Sequence, residues 1–481
     1  MIYHSSRSTN FTADSAAAVL QGLAPDGGLY VPKAIPEFDW KACLKGSAME
    51  MATDILSALL PDIPDMPGLV KKAYTGKFTA EDLTPTVSVG DFGVLELFHG
   101  PTSAFKDVAL CMLPQLLTAA RKVKSPEDSI LILTATSGDT GKAALEGFKD
   151  VEGIKICVFY PHGGVSQVQR AQMVTQEGNN VTVCAVEGNF DDAQTGVKQI
   201  FAQCQDKEMA HRLSSANSIN IGRLAPQIMY YFKSYRDLLD AGKITLGDEV
   251  NFSVPTGNFG DILAGFLAKK LGLPVGKLIC ASNANKVLTD FIRTGTYDRM
   301  RPLYKTNSPS MDILVSSNLE RLLYLLSGDC ALVAQLMEKL SKEGSYQVPE
   351  ALLAQIQDQF WGDYCDDAAA EAVIGRVFKD YGYLCDPHTA AGWAAAENYV
   401  NQTGDKRAMV VLSTASPYKF PEAVLTAIGE TPAGNGFDQM EQLGRVSGVA
   451  IPKNLATLRT KQELHTGVIA KEDMLSFVMD I

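Results

Sequence analysis

From about residue 94 onward the chain alternates short β-branched apolar runs with helix-length amphipathic segments, and no other feature constrains its fold as strongly. The runs fall at 94–98, 129–134, 154–160, 181–186, 250–254, 278–281 and 408–412. Several are apolar throughout, as expected of strands covered on both faces. Strands separated by helices pair in parallel through right-handed crossovers, so the core reads as α/β. A chain of 481 residues exceeds one ordinary core, which predicts two or three domains.

The pattern divides the chain into four parts. Residues 1–93 form an N-terminal, mainly helical extension, with helix-like stretches at 15–22, 40–60 and 69–76 joined by Pro/Gly turns. Residues 94–220 form a smaller parallel-sheet domain and 221–430 a larger one, the latter carrying a helical insertion at 311–380. Residues 431–481 are a C-terminal segment. The turn Asp26-Gly27-Gly28 in the first part reads as a tight loop, since it supplies positions that tolerate positive φ.

Charge excludes some classes of function. The net charge is −12, and no lysine- or arginine-rich run offsets it, which argues against a nucleic-acid or anionic-membrane partner. Nine scattered cysteines without a CxxC pair read as reduced core residues, with no metal site implied. No run of about twenty apolar residues predicts a membrane span, and the first residues lack the apolar core of a signal peptide. The expected compartment is the cytoplasm.

Four loops at predicted strand ends carry the chemistry. In the first, Phe98 to Asp107, Lys106 sits where a strand hands over to a helix among small and apolar neighbours. Desolvation there favours a neutral, nucleophilic amine; a solvated lysine at a helix start is the competing reading. In the second, Thr134 to Ala144, hydroxyls and glycines precede a helix and make an anion seat, or an ordinary capped helix start. In the third, Val254 to Asp261, Gly257 and Gly260 let several N–H groups converge on a phosphate, although the Asp261 carboxylate would repel one. The fourth, Leu412 to Lys419, offers hydroxyls at a strand end. Open α/β sheets place their ligands at such carboxyl ends. A desolvated lysine, a phosphate cradle, a second anion loop and a lone hydroxyl together describe a pyridoxal-phosphate site.

At these residues the chain resembles the threonine synthases, in the bacterial and fungal branch of the fold type II (tryptophan-synthase-β-like) pyridoxal-phosphate enzymes. The resemblance rests on FHGPTSAFKD at 98–107 and VPTGNFGDILAG at 254–265. It is supported by GLAPDGGLYVP at 22–32, TATSGDTGKAAL at 134–145, SANSINIGRLAPQ at 215–227, SPSMDILVSSNLERLL at 308–323, DPHTAAGW at 386–393 and LSTASPYKFPEAV at 412–424. The resemblance implies that Lys106 is the Schiff-base lysine and that pyridoxal 5′-phosphate is the cofactor. It assigns Gly257, Asn258, Phe259, Gly260 and Asp261 to the cofactor phosphate and Thr414 to the pyridine nitrogen. It assigns Asn217, Ser218 and Arg223, with Ser137 and Thr140, to a substrate phosphate. The implied substrate is O-phospho-L-homoserine, converted with water to L-threonine and phosphate by a monomer or homodimer. Relatives in other branches carry asparagine where Asp139 stands, which leaves open the group facing the pyridoxal 3′-oxygen. A serine or threonine dehydratase would share the cofactor without needing a second phosphate site, and a catalytically silent homologue would only bind.

Overall fold

The computed structural model of the protein describes residues 1–136, 138–204 and 210–481, side chains at 190, 191 and 202 excepted. The chain opens with β1 (Ile2–Ser5), β2 (Ser8–Asp14) and β3 (Tyr30–Pro32), an antiparallel sheet in the order β2-β1-β3. This sheet adds to the expected helices of the extension. Most of β2 faces solvent and so lacks the apolar alternation by which a strand is read. The helix expected over 40–60 is two helices, Trp40–Cys43 and Ala48–Leu59. The break falls where Ser47 and Glu50 form a capping box that restarts the helix.

The remaining strands are β4 (Thr86–Val89), β5 (Phe92–Glu96), β6 (Ile130–Ala135), β7 (Ile154–Pro161), β8 (Val181–Val186), β9 (Arg212–Ser214), β10 (Val250–Pro255), β11 (Val275–Ser282), β12 (Thr296–Asp298), β13 (Ser345–Gln347), β14 (Phe360–Tyr364), β15 (Ala408–Ser413) and β16 (Val468–Ile469). They build a six-stranded sheet, β14-β11-β10-β15-β5-β4, and a five-stranded sheet, β16-β8-β7-β6-β9, while β12 and β13 form a small antiparallel ribbon. The five-stranded sheet is parallel throughout. In the larger sheet only the edge strand β4 runs antiparallel to its neighbour. The α/β class with two open parallel sheets is therefore as the pattern predicts.

The division of strands between the sheets is not. β5, which leads to Lys106, pairs with β15 in the larger sheet, so it is separate from the β6–β9 strands with which a 94–220 unit would group it. β16 carries part of the C-terminal segment onto the edge of the smaller sheet. β14, inside the stretch read as a helical insertion, supplies the far edge of the larger one. Val94 and Leu95 are fully buried, which suits either sheet, so local pattern carries no instruction about partners.

The helix Lys106–Lys124 packs inside the core and contains Pro114. Proline has no N–H, so the Leu110 carbonyl four residues earlier loses its helical donor. Gly147 comes so close to that carbonyl that a Cβ on it would stand 1.9 Å from the oxygen. The proline and the glycine together set how tightly this helix meets its neighbour Asp139–Phe148. No helix among the described residues is long and apolar enough to cross a membrane.

Candidate active site

In the larger sheet β10, β15 and β5 are consecutive neighbours, so the loops leaving their carboxyl ends emerge side by side. Backbone bonds staple two of them together. Leu97 N donates to Ser413 O at 2.9 Å, Phe105 N to Thr414 O at 2.8 Å and Ser416 N to Ser103 O at 3.1 Å. Ser103 takes a positive φ of 59° to make the turn. Thr414 is buried and thus lies one backbone bond from the residue preceding Lys106.

Lys106 begins its helix and its side chain is 11% exposed. Its Nζ donates to Ser310 Oγ at 3.1 Å and lies 3.9 Å from Asp139 Oδ2. Burial pushes the amine down to about 8; Asp139 pulls it upward, while Arg223 and Lys419 press it lower. A lysine in this state gives up its proton more readily than a solvated one. Asp139 is the first residue of its helix, delivered by the smaller sheet. Burial alone would raise its carboxyl, but Lys419 and Lys106 hold it well below the usual carboxylate range. Lys419 Nζ also donates to Thr102 O at 3.2 Å, and Gln169 Nε2 to Asp139 Oδ1 at 3.1 Å. Asp107, next to the lysine, is buried and held by Thr102 N at 2.9 Å; burial pushes its carboxyl up to about 6.

The loop after β10 turns through Phe259 at φ 61°, a left-handed conformation unusual for a bulky residue. Gly257 has to be glycine, because a Cβ there would stand 2.5 Å from Ser310 O. Around Gly260, by contrast, the nearest atoms to a built Cβ are 3.7 Å away, among them Ser218 Cβ. The N–H groups of Gly257 to Gly260 donate to no other described residue, and Gly260 opens the helix Gly260–Lys270. Free amides at a helix start with open space above them fit a phosphate group. The carbonyls of this turn are tied down: Ser316 Oγ donates to Gly257 O at 2.8 Å and Asn318 Nδ2 to Asn258 O at 3.1 Å. The Asp261 carboxylate turns toward Ile262 N at 2.9 Å. Burial pushes its carboxyl up to about 7, which lessens its repulsion of an anion.

The loop of Asn217, Ser218 and Arg223 lies close by, with Ser218 Cβ 3.7 Å from a Cβ built on Gly260. Ser218 Oγ is 3.4 Å from Ser317 Oγ, and Asn217 O accepts from Asn220 N at 3.3 Å. Arg223 is buried, and its Nη1 donates to Ala216 O at 2.6 Å. Its Nε has no hydrogen-bond partner among the described residues. Burial pushes this guanidinium down to about 10, with no carboxylate beside it among the described residues. Thr140 follows Asp139 in the first helical turn and is half-buried. Ser137 lies outside the described residues.

Sequence reasoning named Lys106 and the three loops but missed the groups between them: Ser310, Lys419 and the His388–Asp386 pair. Ser310 lies 204 residues from Lys106, so no spacing reveals the contact. Only the motifs SPSMD and DPH at 308–312 and 386–388 mark the place. Arg321 was missed too. Its Nε donates to Tyr30 O at 3.0 Å and its other nitrogens bond Asn318 Oδ1 and Ile219 O. One buried guanidinium thereby joins the N-terminal extension, the 217–223 loop and the residue that holds Asn258.

Comparison with known proteins gives matches along nearly the whole chain. Residues 2–74 match the family model "Threonine synthase N terminus", 78–414 match "Pyridoxal-phosphate dependent enzyme" and 389–474 match "Threonine synthase, C-terminal". A threonine synthase of Pseudomonas aeruginosa is 40% identical over 90% of this chain and 92% of its own length. Human threonine synthase-like 1 is 39% identical over 93% of this chain, which spans 62% of that protein's length. The crystal structure of a PLP-bound threonine synthase from Brucella melitensis superposes with a TM-score of 0.87 at 37% identity, covering 100% of this chain and 98% of that one.

Proposed function

The chain belongs to the threonine synthase family of pyridoxal-phosphate-dependent enzymes, and from that premise we propose that it converts O-phospho-L-homoserine and water to L-threonine and phosphate, as a carbon–oxygen lyase acting on a phosphate ester. The observation that carries this reading is Arg223, a buried guanidinium with an unpartnered Nε and no carboxylate beside it among the described residues. A buried cation without a counterion calls for an anionic ligand. The Gly257–Gly260 amides already suit the phosphate of the cofactor, so a second anion site implies a phosphorylated substrate.

The residues present fit the cofactor. Lys106 offers a buried amine of lowered pKa, the Gly257–Gly260 turn offers amides under open space, and Thr414 offers a buried hydroxyl on the neighbouring strand end. Bound there, pyridoxal 5′-phosphate supplies an electron sink that makes protons next to the substrate nitrogen acidic. The protein's own groups do the rest. Lys106 takes protons from Cα and Cβ of the substrate and returns protons at Cγ and Cα. Arg223, with Thr140 and Ser218, binds the phosphate and stabilises the charge it gains as its bond to Cγ breaks. Water then supplies the hydroxyl at Cβ.

Steady-state assays with O-phospho-L-homoserine and L-serine test the reading. The phosphorylated substrate should be strongly preferred, releasing phosphate and threonine in equal amounts. Arg223→Ala should raise its KM by about 10–100-fold, the range for losing a charged hydrogen-bond partner, and leave residual serine elimination little changed. A better rate with serine would make the protein a dehydratase.

A further inference from the structure

Ser310 stands at the centre of the site without a role in the chemistry above. Its Oγ accepts from Lys106 Nζ at 3.1 Å and lies 3.5 Å from Asp139 Oδ2. A hydroxyl has one proton to give and lone pairs to receive, so it donates to the carboxylate and accepts from the lysine. Its backbone is fixed from the other side: Ser310 N donates to His388 Nε2 at 3.2 Å. An Nε2 that accepts carries no proton, so the imidazole proton sits on Nδ1, which donates to Asp386 Oδ2 at 2.6 Å. Asp386 in turn caps the helix Pro387–Thr403 and accepts from Thr389 N at 3.2 Å. Thr389 Oγ1 lies 3.0 Å from Ser413 Oγ, at the end of β15. Asp386 is fully buried and His388 2% exposed, and the imidazole packs on Phe420 with ring centres 5.0 Å apart.

We propose that Ser310 orients the Lys106 amine and bonds its proton through the reaction, and that the buried His388–Asp386 pair is the positioning device that holds Ser310 there. The flanks of the three-residue 3₁₀ turn Pro309–Met311 are held by Asn283 Nδ2, on Ser308 O at 3.3 Å and Asp312 Oδ1 at 2.8 Å. The His388 lone pair anchors the backbone of Ser310 itself, and Asp386 selects the tautomer that has this lone pair to offer. The same anchor sets the spacing to the cofactor-phosphate turn, because the Ser310 carbonyl is the atom that excludes a side chain at Gly257. The charged groups around the amine are Asp139, Arg223, Lys419 and Asp261; Ser310 is the neutral partner among them.

The inference rests on Lys106 being the reactive amine, and its test separates the two. Full-length protein freed of cofactor is mixed with pyridoxal 5′-phosphate across pH 6–10, and the rate of borohydride-fixable labelling is mapped by peptide. Ser310→Ala removes an acceptor that favours the ammonium form, so the pH midpoint of Lys106 labelling should fall by about one unit, the scale of one charge-assisted hydrogen bond. His388→Leu should give the same shift, and the double variant no more than either alone. His388→Gln, whose amide oxygen can accept the Ser310 N–H, should stay near wild type. ¹⁵N NMR of the unmodified protein should show the neutral His388 ring protonated on Nδ1 and not on Nε2, whatever the folding of the variants. An unmoved midpoint in Ser310→Ala, additive shifts, or a proton on Nε2 overturns the proposal. Label on another lysine in the wild type overturns instead the functional reading.

Discussion

Lys419 Nζ lies 2.6 Å from Asp139 Oδ1, and both side chains are buried beside Lys106. The pair leaves the acidic residue at this position bonded to a buried ammonium, so that carboxylate and cation together carry no net charge. Lys419 holds Oδ1 while Lys106 Nζ lies 3.9 Å from Oδ2, so two cations share one carboxylate.

Breaking that pair on one side should be costly. Lys419→Met leaves a buried carboxylate with Lys106 at 3.9 Å as its remaining cation, and loss of one partner of a buried pair costs about 3–5 kcal/mol. Urea unfolding should show this loss, and Lys419→Met combined with Asp139→Asn should recover most of it. The sign for acid is fixed by the lowered carboxyl of Asp139. Its contribution is present above the unfolded value of about 3.9 and lost as pH falls through the lower folded value. A single Lys419→Met variant as stable as wild type would mean that water already screens the pair.

Lys106 has the opposite effect on stability. Its folded amine is pushed down to about 8 from 10.5, so between those values the unfolded chain binds more protons and stability rises with pH. The penalty is fully present below about pH 8 and relieved as pH approaches 10.5. Lys106→Met should therefore abolish turnover yet be more stable than the cofactor-free wild type at pH 7, by about 1–3 kcal/mol, with the gap closing by pH 10. Denaturation midpoints at the two pH values check this; a variant less stable at both would show that the lysine is a net structural contributor.

Arg321 should link the N-terminal extension to both anion loops. Arg321→Met leaves Tyr30 O, Ile219 O and Asn318 Oδ1 without their donor, at about 1–3 kcal/mol for each buried group left unpaired. The KM for O-phospho-L-homoserine and the inhibition constant for inorganic phosphate should both rise, by roughly tenfold. Lys106 should still take the borohydride-fixed label. Arg321→Lys should not rescue, because an ammonium cannot span three directions from the same stem. Unchanged phosphate affinity in Arg321→Met would confine Arg321 to holding the extension in place.

Much of this was legible before any coordinates. The strands β5, β6, β7, β8, β10, β11 and β15 all fall on apolar runs, and the loops after β5, β6, β10 and β15 stand out by their glycines, hydroxyls and one lysine among apolar neighbours. The sheet of the extension was not legible, because β2 is largely exposed and carries no period. Nor was β14, which follows directly on the helix Glu350–Gln359 and looks like its last turn.

By itself the sequence determined an α/β chain with parallel strands and named the loops where chemistry would gather. Period and turn preference are local properties, settled within a few residues by sterics and by which face is apolar. Only the tertiary structure decided that β5 joins β15, that Lys419 answers Asp139, that Ser310 meets Lys106 with His388 behind it, and that Arg321 ties the extension to Ile219 and Asn318. Those are choices among distant partners. A buried strand suits either sheet, and a buried charge or lone pair suits any complementary group that packing brings within about 3 Å, so the choice exists only once the whole chain has closed around it.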